Sequence, residues 1–321
     1  MKKIIKLTGL ILCFAILTSV FTSCIFGTLN GGNRYGPAMW VAEDSEGNIV
    51  YLMGSVHIGE KSMFPFCDEI EDAFEMSDAL AVEYDIVKSE NDSQGWTEEE
   101  LDAYNAQFMI PDGKTVKDLI DPDIYESAKA YLTEKGYYTP EFDYIVPVMW
   151  SSAISQYMIT DAGYSAEYGV DRYFINAAYD LGKEVIDIES EQSQIELLIS
   201  EPVKVTEYNI KSSLAAKDAL IGPRYVYGMM LDVYNSGDME NLEKMVFADI
   251  PKGTFDEETE KLYNEYMEKM YGDRNRVMAD AVKQYLAEGR TVFLVVGAAH
   301  MMGDDGIIAL LRSEGYTVYR K

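Results

Sequence analysis

The chain announces its elements through its apolar spacing. "MWVAEDSEGNIVYLMGS", residues 39–55, is two β-prone runs around an Asp/Ser/Gly/Asn turn and predicts a hairpin. In "FCDEIEDAFEMSD", Phe66, Ile70, Phe74 and Ser77 recur at helical intervals, and "ALAVEYD" then reads as a short buried strand. Strand, helix and strand with short connections make a βαβ unit. The middle is mostly helical: "VKDLIDPDIYESAKAYLTEKG" stops at Gly136 and "SAEYGVDRYFINAAYDLG" at Gly182, before the strand "KEVIDIE". From about 202 to 271 a Tyr- and Met-rich helical pattern predicts an insertion over the sheet. "NRVMADAVKQYLAEG" then forms a helix, "TVFLVVGAAH" a strand buried on both faces, "DDGIIALLRSEG" a helix and "YTVYR" a last strand. Alternating β and α with continuous apolar strands predicts an α/β fold: a mixed, largely parallel sheet, opened by the hairpin and covered by helices.

The first two dozen residues stand apart. Lys2, Lys3 and Lys6 precede the 16-residue apolar stretch "LTGLILCFAILTSVFT", short for a membrane span and suited to a signal peptide over 1–23. "FTSC" resembles a bacterial lipoprotein processing site, which makes Cys24 the lipidated first residue; plain cleavage and an uncleaved anchor are the alternatives. A flexible Gly/Asn linker over 24–36 leads to one domain over 37–321. The expected location is the extracytoplasmic face of a bacterial membrane, attached through that lipid or signal anchor alone. With Cys13 removed and Cys24 capped, Cys67 is left without a disulfide partner and reads as a packed small hydrophobe.

Composition narrows the chemistry. At 48% hydrophobic residues the chain has ample core, and its net charge of −28 argues against nucleic acid as a partner. No serine nucleophile elbow, Walker loop or dinucleotide fingerprint occurs.

The chain has two histidines, and both stand three positions after a glycine at the end of an apolar run: His57 after Gly54, and His300 after Gly297. In an open α/β sheet ligands gather beyond the carboxyl ends of the strands, and there the pattern also delivers Glu83 and Glu189. Gly54 and Gly297 would leave room for close backbone approach or allow torsions barred to branched residues. Two imidazoles and one carboxylate form a ligand set for a catalytic divalent ion, with Zn, Mn and Co all acceptable. His57 and His300 are the expected ligands, and Glu83 is either the third ligand or the general base. In "YGDRNR", Arg274 or Arg276 could steady an oxyanion or bind a substrate carboxylate.

These motifs resemble the TraB/GumN, or Tiki-like, family, and the likeness runs from Trp40 to Arg320. "YLMGSVHIG" is similar to its first Gly-x-x-His motif and "ALAVEYD" to its glutamate strand. "YGVDRYFINAAYDLGKEVIDIESEQSQIELL" resembles its central block, with Gly169, Asp171, Glu189 and Gln194 on matching positions. "DRNRVMADAV", carrying Arg274 and Asn275, and "FLVVGAAHMMGDDGIIALLRSEGYTV" resemble its closing segment. The resemblance implies metal-dependent peptide-bond hydrolysis in the Tiki branch, and roles around peptide pheromones or none assigned in bacterial relatives. It implies His57, Glu83, Arg274 and His300 as functional residues, with Asp171, Glu189, Gln194 and Asn275 in support. The long C-terminal membrane segment of some relatives is not seen in this sequence.

The expected function is therefore an exported, membrane-anchored metal-dependent hydrolase acting on a peptide or protein. Two alternatives stay open: a non-catalytic lipoprotein that binds or sequesters a peptide through the Tyr/Met-rich segment, and a metal-independent hydrolase of small esters using the histidines as bases.

Overall fold

Asp44 closes the first turn. Its Oδ1 accepts the backbone N–H groups of Glu46 and Asn48, each at 2.9 Å, and its Oδ2 accepts Asn48 Nδ2–H at 2.8 Å. This side-chain brace stands in for a backbone turn and sets β1 (Met39–Glu43) antiparallel to β2 (Ile49–Ser55), Glu43 opposite Ile49. The computed structural model describes residues 36–321 apart from 218, 220 and 221. The expected signal peptide and the lipidation site at Cys24 lie outside the described residues.

Four more strands complete the sheet: β3 (Ala79–Val82), β4 (Glu184–Asp187), β5 (Val292–Gly297) and β6 (Thr317–Arg320). Their order is β4-β3-β5-β2-β1-β6. The pairs β2/β5, β3/β5 and β3/β4 are parallel, and β1 is antiparallel to both β2 and β6. Only β1 runs against the rest. The mixed, largely parallel α/β sheet opened by a hairpin is as the apolar pattern predicts.

The unbroken apolar character of the central strands comes from burial on both faces. Tyr51, Met53, Leu80, Val82, Phe293 and Val295 enter one core, while Val50, Leu52, Ala81, Val292, Leu294 and Val296 enter another on the opposite side. The helices Asp68–Met76 and Val170–Leu181 cover the first, joined by a helical mass around fully buried Trp150. The helices Arg274–Ala287 and Ile307–Ser313 cover the second. Among the described residues no helix is long and apolar enough to cross a membrane.

One boundary differs from expectation. The helix expected to begin near Asn275 continues from Glu257–Met267 through a π-helical turn, Glu268–Asp273, into Arg274–Ala287. A π turn adds a residue to the helical repeat and rotates the helix beyond it, so the apolar face changes phase. A phase break reads as a start in sequence. Here it aims Arg274 and Asn275, the first two residues after the turn, at the carboxyl ends of the strands.

Candidate metal centre

His57 lies just after β2 and is fixed from the helix that packs beside it. The Val170 N–H donates to Val56 O at 2.9 Å, which docks the start of Val170–Leu181 against this loop. Asp171, in the first turn of that helix, then receives His57 Nδ1–H on its Oδ2 at 3.0 Å. Gly169 makes the approach possible: a Cβ there would sit 2.9 Å from His57 O and 2.8 Å from Asp171 Oδ1.

His300 lies in the short turn after β5 and is 3% exposed. Its Nδ1 is 2.6 Å from Asn275 Oδ1, and Asn275 Nδ2 donates to Asp305 O at 2.8 Å. With the amide nitrogen committed as donor, Asn275 Oδ1 is an acceptor and His300 Nδ1 carries the proton. In the neutral ring the lone pair is then on Nε2, which faces Glu83 Oε1 at 3.8 Å. Gly54 lets this turn come close, since a Cβ at 54 would lie 2.7 Å from Ala298 Cα. Close approach, and not positive φ, is therefore the reason for Gly54. Gly297 acts differently: its φ of −47° and ψ of 135° are open to other residues, and its contribution is an N–H donated to Glu83 Oε1 at 2.7 Å.

Glu83, directly after β3, is the hub. Its Oε2 accepts Arg274 Nη2–H at 2.5 Å and Gln194 Nε2–H at 3.1 Å. Arg274 also donates from Nε to Glu189 Oε1 at 2.8 Å and from Nη2 to Glu189 Oε2 at 2.9 Å, and Gln194 bridges to Glu189 at 2.8 Å. Glu189 thus braces Arg274 and does not face the histidines directly. The Arg274 guanidinium, one of the two offered by the sequence for an oxyanion or a substrate carboxylate, is engaged on two carboxylates and on Met270 O. Arg276 pairs with Glu268 and Asp273 on the surface. The structure thus brings His57, Glu83, Arg274 and His300 together, with Asp171, Asn275, Glu189 and Gln194 behind them. Sequence reasoning passed over Tyr271, whose ring lies 5.6 Å from that of His300; nothing in its local pattern marks it.

Packing sets the electrostatics. Burial works against a charge on His57, but the Asp171 carboxylate, through its charge and hydrogen bond, lifts the imidazole to about 9, with Glu83 helping and Arg274 opposing. Burial and then Arg274 push His300 down to about 3. Burial also opposes the charge on Glu83, yet Arg274, His57 and the Gly297 N–H hold its carboxyl well below the usual range.

Do these residues fit a divalent ion? In kind they do. Metal-ligating histidines present one ring nitrogen and anchor the other on a carboxylate or carbonyl-type acceptor, as His57 does on Asp171 and His300 on Asn275. The 3.8 Å between His300 Nε2 and Glu83 Oε1 is too long for a hydrogen bond. It is close to the roughly 3.4 Å that separates two tetrahedral ligands bound at about 2.1 Å. The full set is not drawn together: among the described residues no group of three or more His, Cys, Asp or Glu side chains is placed to hold a metal ion. Titratable groups with opposed shifts at strand ends make this the candidate functional site.

Comparison with known proteins gives the chain's relatives. No solved structure matches the chain. The uncharacterized protein YbaP of Escherichia coli (strain K12) is 23% identical over 290 residues, covering 90% of this chain and 97% of YbaP. The metalloprotease TIKI1 of Danio rerio is 19% identical over 305 residues, covering 84% of this chain and 60% of TIKI1. The TraB/PrgY/gumN family matches residues 38–320, which include every residue of the site. The chain belongs to the TraB/PrgY/gumN family.

Proposed function

We propose that this chain is a metal-dependent hydrolase of peptide bonds, with one divalent ion held by His57, His300 and Glu83. The observation that carries the reading is the pair of anchored imidazoles flanking a carboxylate kept anionic by Arg274. The distant likeness to a protein named a metalloprotease supports it. A divalent ion so held supplies Lewis acidity, activating water and polarising a carbonyl.

The chain's own residues prepare the place. Asp171 and Asn275 fix the two rings, and Arg274 with Gln194 and Glu189 fixes Glu83. A carboxylate held anionic so firmly is a weak proton acceptor, which favours Glu83 as ligand over Glu83 as general base. His57 must release its proton to bind an ion, so affinity falls in acid. The leader and Cys24 suit export and lipid attachment at the outer face of the membrane, where peptides or proteins are the substrates.

The test is turnover. Mature protein incubated with a peptide library and Zn, Mn or Co should cleave peptides, stop in EDTA, and lose activity about 100-fold or more in His57→Ala and His300→Ala. Cleavage that survives exhaustive chelation contradicts the proposal, as does saturable peptide binding with no cleavage under any of the three metals.

A further inference from the structure

Ser55, the last residue of β2, ends a strand that is apolar apart from it and the Tyr51 hydroxyl. It is 0% exposed, and its Oγ has no hydrogen-bond partner among the described residues. Such a hydroxyl costs free energy unless something satisfies it. A second orphan stands nearby. Asp171 uses Oδ2 on His57, while its Oδ1 is buried and equally unpartnered. Ser55 and Asp171 line the same cavity, with His57 and Glu83 also in its wall and Val82 and Val295 supplying apolar sides.

The size of that cavity is decisive. Its volume is about 20 Å³, whereas one water needs roughly 10–15 Å³ on this measure, together with two or more polar partners. Ser55 and Asp171 are the two lining residues that bring an unpartnered buried oxygen to this cavity. It is too small for a substrate group and too polar to stay dry.

We propose that Ser55 Oγ and Asp171 Oδ1 form a one-water site, in which the hydroxyl and the carboxylate oxygen each hydrogen-bond the same water. The water completes the coordination of Asp171, whose other oxygen orients His57. Ser55 is therefore a positioning residue: it acts through the water and Asp171 on the imidazole. The water site stands on the geometry alone, while its consequence for turnover rests on the hydrolase reading above.

Two measurements separate these. A high-resolution crystal structure of the wild type should show an ordered water within hydrogen-bond distance of both Ser55 Oγ and Asp171 Oδ1, and Ser55→Ala should lose it. Thermal unfolding should show Ser55→Ala melting lower than wild type, because Asp171 Oδ1 loses its partner. A hydroxyl that is simply orphaned predicts the reverse, an unchanged or higher melting temperature on its removal. Ser55→Thr, which keeps the hydroxyl, should retain the water, and Ser55→Val, of similar volume, should not. For turnover, Ser55→Ala should lower kcat about 10- to 100-fold with little change in KM, and Ser55→Thr should restore most of it. A wild-type crystal structure with Ser55 Oγ bonded directly to protein and no water beside Asp171 overturns the proposal. So does a Ser55→Ala protein as stable as wild type. If the water is present and no peptide is cleaved, the hydrolase reading fails and the water site stands.

Discussion

His57 and Asp171 meet at 3.0 Å across 114 residues of chain. The contact joins the end of β2 to the start of a helix that precedes β4, and it sets the ionisation of the imidazole. In the folded protein His57 is lifted from 6.5 to about 9, so the fold holds that proton more tightly than the unfolded chain. The stabilisation is complete below about pH 6.5 and is lost as pH rises through about 9. His300 slopes the other way: lowered to about 3, it contributes stability above pH 6.5 that is lost as pH falls. Urea unfolding of the metal-free protein in a Glu201→Gln background, which removes a carboxyl that itself titrates near 7, should therefore give a maximum near pH 6.5. The alkaline decline, of at most about 3 kcal/mol, should be absent in His57→Gln.

Arg274 sits between Glu83 and Glu189 with its side chain 14% exposed. Truncating one partner of a buried ion network leaves uncompensated charge, at a cost of about 3–5 kcal/mol. Arg274→Ala should lower the urea midpoint accordingly. Arg274→Lys should recover little of it, since an ammonium cannot span two carboxylates as a planar fork does. Full stability in Arg274→Lys would show that the fork geometry is unimportant.

Gly54 is pressed against the turn that carries His300. A methyl group there meets Ala298 Cα at 2.7 Å and Cβ at 2.9 Å, contacts that only backbone movement relieves. Gly54→Ala should cost about 1–3 kcal/mol and weaken any function of His300 more than one of His57. Calorimetry and peptide cleavage, measured together, check both parts.

Glu201 offers an electrostatic test away from the site. Burial raises its carboxyl to about 7, against hydrogen bonds from Thr206 and Asn209. A raised folded-state value means stability that is complete below the unfolded value of 4.5 and lost as pH climbs through 7. Glu201→Gln should melt higher than wild type at pH 8 and close to it at pH 5. Equal melting temperatures at both values would contradict the assigned burial.

Much of this was legible in the sequence, for identifiable reasons. Strands buried on both faces read as unbroken apolar runs, so their ends, and the His57, Glu83 and His300 placed there, could be located from hydrophobicity alone, whereas β4, which leads to Glu189, is half exposed and carries acids at both ends. Asp171, Gln194 and Asn275 lie on helices whose docking is tertiary, and only the family resemblance pointed to them. The π turn ahead of Arg274 leaves no compositional trace, because it is a change in backbone repeat; it surfaced as a false helix start. Ser55 was not singled out from the sequence, because its meaning depends on the unpartnered oxygen of Asp171.

One ion shared by two distant imidazoles is the claim on which the proposed chemistry stands. Calorimetric titration of Zn, Mn or Co into metal-free mature protein at pH 7.5 tests this most directly. The prediction is about one ion bound per chain with release of a proton from His57, and a loss of affinity of tenfold or more in both His57→Ala and His300→Ala. Binding that is unchanged in the two variants, or no binding of any of the three ions by folded wild type, would contradict it.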